Sequence, residues 1–290
     1  MKKTLLLIAT LLASYVGMAQ ETYHPTAENL KAREQFQDEK FGIFLHWGLY
    51  SMMGTTEWIM TNRDINYKEY PKLVKTFYPS EFDADAWVKA IKAAGAKYIT
   101  ITTRHHDGFS LFKTATSTYN SVDGTPFKRD IIKEMADACQ RNGIKLHLYY
   151  SHLDWGREDY PVGRTGTGTG RPKEKANWAS YYKFMNTQLT ELLTNYGKVG
   201  AIWFDGWWDH DSDAKPFDWQ LEEQYAMIHK LQPQCLVANN HHHTPFPGED
   251  IQIFERDLPG ENKAGLSGQS IGRLPLESCQ TINEHWGYNI

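Results

Sequence analysis

Five times along this chain a short run rich in β-branched and aromatic residues breaks off into polar and aromatic side chains. Phe41 to Leu45 runs into His46-Trp47-Gly48, and Tyr98 to Thr103 into Arg104-His105-His106-Asp107-Gly108. Lys145 to Tyr149 meets Tyr150-Ser151-His152-Leu153-Asp154-Trp155, Ala201 to Phe204 meets Asp205-Gly206-Trp207-Trp208, and Cys235 to Ala238 meets Asn239-Asn240 and three histidines. Between the runs, residues 83–94, 130–142, 177–195 and 218–231 repeat apolar positions every three or four residues, the period of an amphipathic helix. Strand and helix alternate, so the strands are expected to lie parallel. Polar and aromatic groups collected at the carboxyl ends of successive parallel strands match the catalytic face of a (β/α)8 barrel. A doubly wound sheet also fits the alternation, but it gathers ligands at one switch point, commonly behind a glycine-rich first turn. Here the first strand meets His46-Trp47-Gly48 instead. The expectation is an α/β chain folded as a (β/α)8-like barrel.

Asp205 is the first catalytic candidate. An apolar strand ending on a carboxylate among indoles carries a desolvation cost unless the charge is paired or used. Asp-Gly is also a common turn pair, which offers Asp205 a purely local role.

The amino terminus reads as a cleaved export signal over residues 1–19, with Lys2 and Lys3 ahead of the apolar run Leu5 to Leu12 and small residues Gly17 and Ala19 at the cleavage site. The run is short for a membrane span, so the expectation is export to the periplasm or the exterior. Residues 20–290 then form one catalytic domain of barrel size. Losing the two lysines takes the formal charge from −4 to −6, and no basic patch points to nucleic acid. Cys139, Cys235 and Cys279 are an odd number in an exported chain and two sit in helix or strand patterns, so no disulfide framework is expected. The 10 Trp and 16 Tyr matter more: many lie beside strand ends, and such rings stack on the apolar faces of sugars while their polar tips bond hydroxyls.

His105-His106 and His241-His242-His243 raise the possibility of a metal-dependent hydrolase. Neighbouring strand residues face opposite ways, however, and neither a His-x-His on the first strand nor a His-Glu-x-x-His is present. Neutral histidines bonding a polar substrate fit better. A Gly-x-Ser-x-Gly elbow is absent. Gly163 to Pro172, low in complexity, lacks a preceding strand and a following Gly-Lys-Ser/Thr, and reads as a flexible loop over the catalytic face. Paired carboxylates remain. Asp205 has Glu255, Glu261 and Glu277 as downstream partners, and glycosidic cleavage needs one carboxylate at the anomeric carbon and a protonated one at the departing oxygen.

The run Lys40 to Tyr50, then Glu57-Trp58, Thr103 to Phe109, Trp203-Phe204-Asp205-Gly206, and Glu277 with Trp286-Gly287-Tyr288, closely resembles glycoside hydrolase family 29, the α-L-fucosidases. The motifs stand in the family's order from about residue 30 to the end. The resemblance implies a retaining, exo-acting α-L-fucosidase on a somewhat irregular barrel, with no cofactor and with a fucosylated oligosaccharide or glycoconjugate as substrate. It implies Asp205 as nucleophile and His46, Glu57, Trp58, His105, His106, Tyr149 and Trp203 as fucose-binding residues, with Trp286 as a further wall for the C6 methyl. It implies Glu277 as acid/base, with Glu255 in reserve and Glu261 behind it. Family members continue past the Trp-Gly-Tyr segment, so the reading also carries an expectation of truncation. At most seven strands are expected, counting segments near Ile253 and Thr281, with the last barrel strand or strands and a C-terminal β-sandwich lacking. An inactive or weakly sugar-binding remnant is the alternative.

Overall fold

A computed structural model describes residues 23–290; the export signal expected over residues 1–19 lies outside the described residues. Four helices form where the 3.6-residue period predicts them: α3 (Ala84–Ala93), α4 (Ile131–Asn142), α5 (Trp178–Asn195) and α6 (Leu221–Leu231). The first three start at side-chain caps, with Asp83, Asp130 and Asn177 accepting from the amides of Ala86, Lys133 and Ser180. Each cap satisfies a donor that the first helical turn leaves unbonded. The fourth starts later than expected, because Asp218 accepts from the Gln220 amide at 3.0 Å and closes a turn ahead of the helix. Two helices precede them, α1 (Ala27–Glu39) and the short α2 (Ile59–Asn62). The pattern over α1 is mostly polar, so its helical period was not visible in the apolar residues.

Among the described residues seven parallel strands follow one another in chain order. β1 (Gly42–Leu45), β2 (Tyr98–Arg104), β3 (Lys145–Ser151), β4 (Ala201–Asp205) and β5 (Leu236–Asn240) form one sheet, and β6 (Gln252–Glu255) pairs with β7 (Leu276–Cys279). A parallel bridge between Ala238 and Ile251 joins the two. The seventh strand therefore ends two residues before Thr281, where it was expected.

The sheet curls into a barrel. Two strands separate Phe44 on β1 from β4 in the ladder, yet its ring meets Trp203 edge-on with centroids 5.1 Å apart. Trp203 in turn donates to Glu277 on β7. The period-two alternation sends Ala201, Trp203 and Asp205 inward, where they meet Tyr149, Ala238, Ile253 and Cys279, while Ile202 and Phe204 face the helices. At the amino ends of the strands, α1 closes the interior with Phe36, whose ring lies against Tyr98 and His147. Arg33 ties α1 to the barrel by bonding Asp250 at 2.5 Å. The fully buried Asp250 carboxylate also accepts from the Val237 amide at 2.7 Å and contacts His229 at 2.9 Å, so its desolvation is met by several partners.

Among the described residues no ladder joins β7 back to β1. Instead the tail crosses toward β1, with the Gly287 amide donating to Glu57 at 2.8 Å and the Ile290 amide to the Gly54 carbonyl at 3.0 Å. No β-sandwich lies among the described residues, and the three cysteines are buried with free thiols.

The glycine-rich run, expected to be flexible, is pinned. Thr165 bonds Asp209 through both its amide and its hydroxyl, the Gly166 amide donates to Thr61, and Arg171 donates to the carbonyls of Arg157 and Tyr160. Its glycines serve close approach: a Cβ at Gly163 would stand 2.2 Å from Asp209 and one at Gly168 would stand 1.7 Å from Asp64. Low complexity here reflects packing against carboxylates, not freedom. The loop does reach the catalytic face, as expected, through Arg164.

Candidate active site

At the carboxyl ends of the strands the barrel opens into a pocket of about 170 Å³. Asp205, the last residue of β4, points into it because alternation from the inward Ala201 and Trp203 leaves it on the inner face. One carboxylate oxygen accepts from the Tyr149 hydroxyl at 2.9 Å; the other accepts from the Trp208 indole at 2.9 Å and the Gly206 amide at 2.8 Å. Gly206 sits at φ 94°, a conformation that suits glycine and turns the chain so that Trp208 comes back over the carboxylate. The turn role and the chemical role of Asp-Gly thus coincide. The side chain keeps 13% exposure, enough to be reached from the pocket.

Glu255, the last residue of β6, lines the same pocket. The Asn240 amide links the two carboxylates, standing 2.8 Å from Glu255 Oε2 and 3.4 Å from Asp205 Oδ1. The two oxygens are no farther apart than those contacts laid end to end. His242 Nε2 stands 2.9 Å from the same Glu255 oxygen. Burial and the Glu255 charge push the Asp205 carboxyl up to about 6. Burial would raise Glu255 too, but its bonds to His242 and Asn240 outweigh it and hold that carboxyl below its usual range. The pair is held close enough for one proton to serve both.

Glu277 does not line the pocket. On β7 it stands level with Ile253, one inward position below Glu255, and its carboxylate accepts from the Trp203 indole at 2.9 Å under the pocket floor. Burial drives its pKa up to about 7. The geometry thus brings Glu255, the reserve candidate, to Asp205 and keeps the first choice for acid/base a layer away. Glu261 pairs with Lys263 at the surface.

His46, Trp58, His105, Tyr149, Trp203 and Trp286 all reach the pocket wall. Trp286 stacks on His46, with centroids 5.5 Å apart. His106 stands just behind the wall, 3.5 Å from Asp205. The Ser151 hydroxyl donates to the Leu153 carbonyl, so His106 Nδ1 is assigned as the donor to Ser151, which leaves Nε2 without a hydrogen on the side of Asp205. Burial lowers the pKa values of His46, His105 and His106, His46 to about 3, and keeps all three imidazoles neutral. Neutral rings can both give and take hydrogen bonds from hydroxyls. Glu57 is buried behind the wall, accepting from Gly287.

Asn240, His242, Arg164, Trp208, Phe44 and Leu266 complete the lining without having been chosen as site residues. Two left a usable signal. Asn240 is the register partner of Asp205 at the end of the next strand, and Trp208 belongs to the indole pair after Asp205. Arg164 and Leu266 arrive on irregular loops, for which no sequence period exists. Both histidine runs reach the pocket, through His105 and His242, but His242 is taken up by Glu255 and His241 by Glu249. Among the described residues no three His, Cys, Asp or Glu side chains are grouped to hold a metal.

The arrangement suits chemistry on a small, hydroxyl-rich ring: an ionisable pair on one wall, aromatic faces around it, and neutral imidazoles between. Comparison with known proteins agrees. The family described as Alpha-L-fucosidase matches residues 10–290. The plasma α-L-fucosidase of Rattus norvegicus is 32% identical over 98% of this chain and 62% of its own length, and a putative α-L-fucosidase of Caenorhabditis elegans is 30% identical over 94% and 57%. The chain thus spans about three-fifths of the length of these curated relatives. Among solved structures, α-L-fucosidase isoenzyme 1 from Paenibacillus thiaminolyticus superposes with a TM-score of 0.75 at 37% identity, over 89% of this chain and 63% of that one. An α-L-fucosidase from Lactobacillus casei in complex with its α-L-fucose product gives 0.75 at 28% identity, over 89% and 82%. With its strand-end carboxylates, aromatic walls and barrel in place, this chain belongs to the α-L-fucosidase family, glycoside hydrolase family 29.

Proposed function

We propose that the protein is an exo-acting, retaining α-L-fucosidase in which Asp205 is the nucleophile and Glu255 the acid/base. The observation that carries this reading is the Asn240 amide between the two carboxylates. A retaining glycosidase needs its carboxyl groups about 5 to 5.5 Å apart, and the shared amide, 2.8 Å from one oxygen and 3.4 Å from the other, keeps the two carboxylates close enough to reach that spacing. Asp205 attacks the anomeric carbon while Glu255 gives its proton to the departing oxygen. The deprotonated Glu255 then takes a proton from water, which attacks the fucosyl–Asp205 ester and restores the acid. As positive charge grows at the anomeric carbon beside Asp205, the ionised form of that residue is favoured and the shared proton passes to Glu255.

The small pocket supports removal of one terminal sugar, with His46 and His105 as partners for hydroxyls and Trp286 against the methyl. Fucosylated oligosaccharides or glycoconjugates are the substrates of this reading. The leader-like residues 1–19 support action after export, in the periplasm or outside the cell; a mature protein beginning near Gln20 is the expected product of processing. The test is hydrolysis of an aryl α-L-fucoside by the full chain, with the configuration of the first-formed fucose followed by NMR. Retained configuration, lost in Asp205→Gly, is expected. A melt shifted by fucose without turnover would instead favour sugar binding without catalysis.

A further inference from the structure

At the end of the barrel opposite Asp205, a cavity of about 600 Å³ lies between α1, α4 and the starts of the strands, a size usual for small-molecule sites. Gly200, on its wall, immediately precedes β4, and Asp205 ends that strand about 16 Å farther along at 3.3 Å per residue. The cavity is therefore separate from the catalytic pocket. It exists because α1 turns a mixed face inward: Glu28, Lys31, Ala32, Gln35, Phe36 and Glu39 recur every three or four residues, and only Ala32 and Phe36 are apolar. Such a face cannot seal against Leu146 and Leu236 as a continuous apolar stripe would. His147 lines the same space, 1% exposed, and its Nδ1 has no hydrogen-bond partner. Gly200 admits the ring, since a Cβ there would stand 2.7 Å from the imidazole Cδ2. Buried polar atoms are normally bonded, and the described residues offer this one nothing.

The charges on the wall give the ligand a direction. Glu39 pairs with Lys145 at 2.5 Å, so those two cancel. Glu28 sits in the first turn of α1, where unbonded amides already favour a carboxylate. Lys31 and Lys198 are left, both exposed at the rim and without a carboxylate partner among the described residues. Deeper in, the wall carries no net charge. Burial pushes the Cys139 thiol up to about 12, and burial with the Lys145 charge brings the His147 imidazole down to about 3, so both are neutral beside Phe36, Leu146 and Leu236. A cationic mouth over an apolar interior suits a molecule with one anionic end. We infer that this cavity is a binding site for an amphiphilic monocarboxylate, with the acid group at Lys31 and Lys198 and the apolar body on Phe36, Leu146 and Leu236. Its occupant fills the space that α1 leaves open and ties that helix to α4 and β3.

Calorimetry on the full chain provides the test, with octanoate as the probe and 1-octanol and octylamine as its neutral and cationic counterparts. Octanoate is expected to bind about tenfold more tightly than either. Lys31→Gln combined with Lys198→Gln should remove that preference and leave 1-octanol unaffected, because two exposed ion pairs are worth up to about fivefold each. Ala32→Trp, on the half-buried face of α1, places a large side chain in the cavity and should abolish binding of octanoate. Melting curves check that each variant is folded. Location is read independently by NMR: the His147 ring signals, identified by their absence in His147→Phe, should move on adding octanoate. Hydrolysis of an aryl α-L-fucoside should be the same in the lysine and Ala32 variants as in the parent, since the cavity lies at the other end of the barrel. Failure of octanoate to bind, equal affinity for all three probes, or binding that leaves the His147 signals in place overturns the inference. Octanoate binding unchanged in a folded Ala32→Trp variant overturns it equally.

Discussion

Asp205 and Glu255 come from strands β4 and β6, yet the single Asn240 amide between them contacts both carboxylates, at 3.4 and 2.8 Å. Nothing equivalent joins Asp205 to Glu277, whose carboxylate is taken by the Trp203 indole beneath the pocket. The two glutamates should therefore respond differently to removal. Glu255→Ala is expected to lose about 10²- to 10⁴-fold in turnover of a fucoside with a poor leaving group, the usual worth of a positioned acid. Azide should rescue it on an aryl fucoside and yield fucosyl azide of retained configuration, since azide enters on the face where Glu255 would have activated water. Glu277→Ala should show no such product. Azide rescue confined to Glu277→Ala would return the acid/base role to that residue.

The charge of Glu255 sets a pH limit. With burial, it holds the Asp205 carboxyl up near 6, while His242 and Asn240 keep Glu255 itself below its usual range. Catalysis requires one proton on the pair, so kcat/KM should follow a bell whose alkaline limb falls as the free enzyme loses that proton around pH 6. The acid limb, where the second carboxyl also becomes protonated, should lie clearly below it. A profile flat from pH 5 to 8 would contradict the coupling.

Glu277 makes a separate prediction about stability. Its folded pKa near 7 stands above the ordinary glutamate value of 4.5, so the folded state keeps a proton that the unfolded chain gives up. Stability from this group is fully present below pH 4.5 and is lost progressively as the pH rises to 7, by about 3 kcal/mol in all. Other carboxylates oppose the trend, so the informative quantity is the difference from Glu277→Gln, which keeps an acceptor for Trp203 but cannot ionise. The variant should gain relative stability as the pH rises through that window. A difference independent of pH would show that Glu277 is already charged in the folded protein.

Glu57 and Trp286 illustrate how the tail enters the site. Glu57 accepts from the Gly287 amide at 2.8 Å, which fixes the segment that lays Trp286 over His46. Glu57→Ala leaves that buried amide unsatisfied, at about 1–3 kcal/mol, and frees the tryptophan wall. KM for a fucoside should rise, and Glu57→Gln, which retains an acceptor, should recover most of it. Equal KM values for the two variants would point to a direct role for the Glu57 charge.

Much of this was legible in the sequence because periodicity reports burial. The strand runs, the Asp and Asn caps and the inward position of Asp205 all follow from residue spacing and local hydrogen bonding. The choice between Glu255 and Glu277 did not, because both lie on inward positions of β6 and β7 and differ only in depth along the barrel. Depth is set by register, by Ile253 pairing with Glu277 and Glu255 with Cys279, and single-strand patterns carry no register information. The same limit hid α1, which is held by Arg33 on Asp250 and Phe36 on the barrel floor without a continuous apolar stripe.

Two glycines from loops of similar composition should respond with opposite sign. Gly168, in the glycine-rich run, has the Asp64 carboxylate where its Cβ would be, at 1.7 Å, and Asp64 is itself held at φ 49°. Gly168→Ala must push that loop off the barrel mouth and should cost about 1–3 kcal/mol, as overpacking does. Gly268 has open space at the same atom and no positive φ. Gly268→Ala removes freedom mainly from the unfolded chain and should be neutral or stabilise by up to about 1 kcal/mol. Denaturant melts of the two variants measure the contrast directly. If Gly168→Ala proved as harmless as Gly268→Ala, the loop would be yielding at Asp64, and the pinned reading of residues 163–172 would give way to the flexible one.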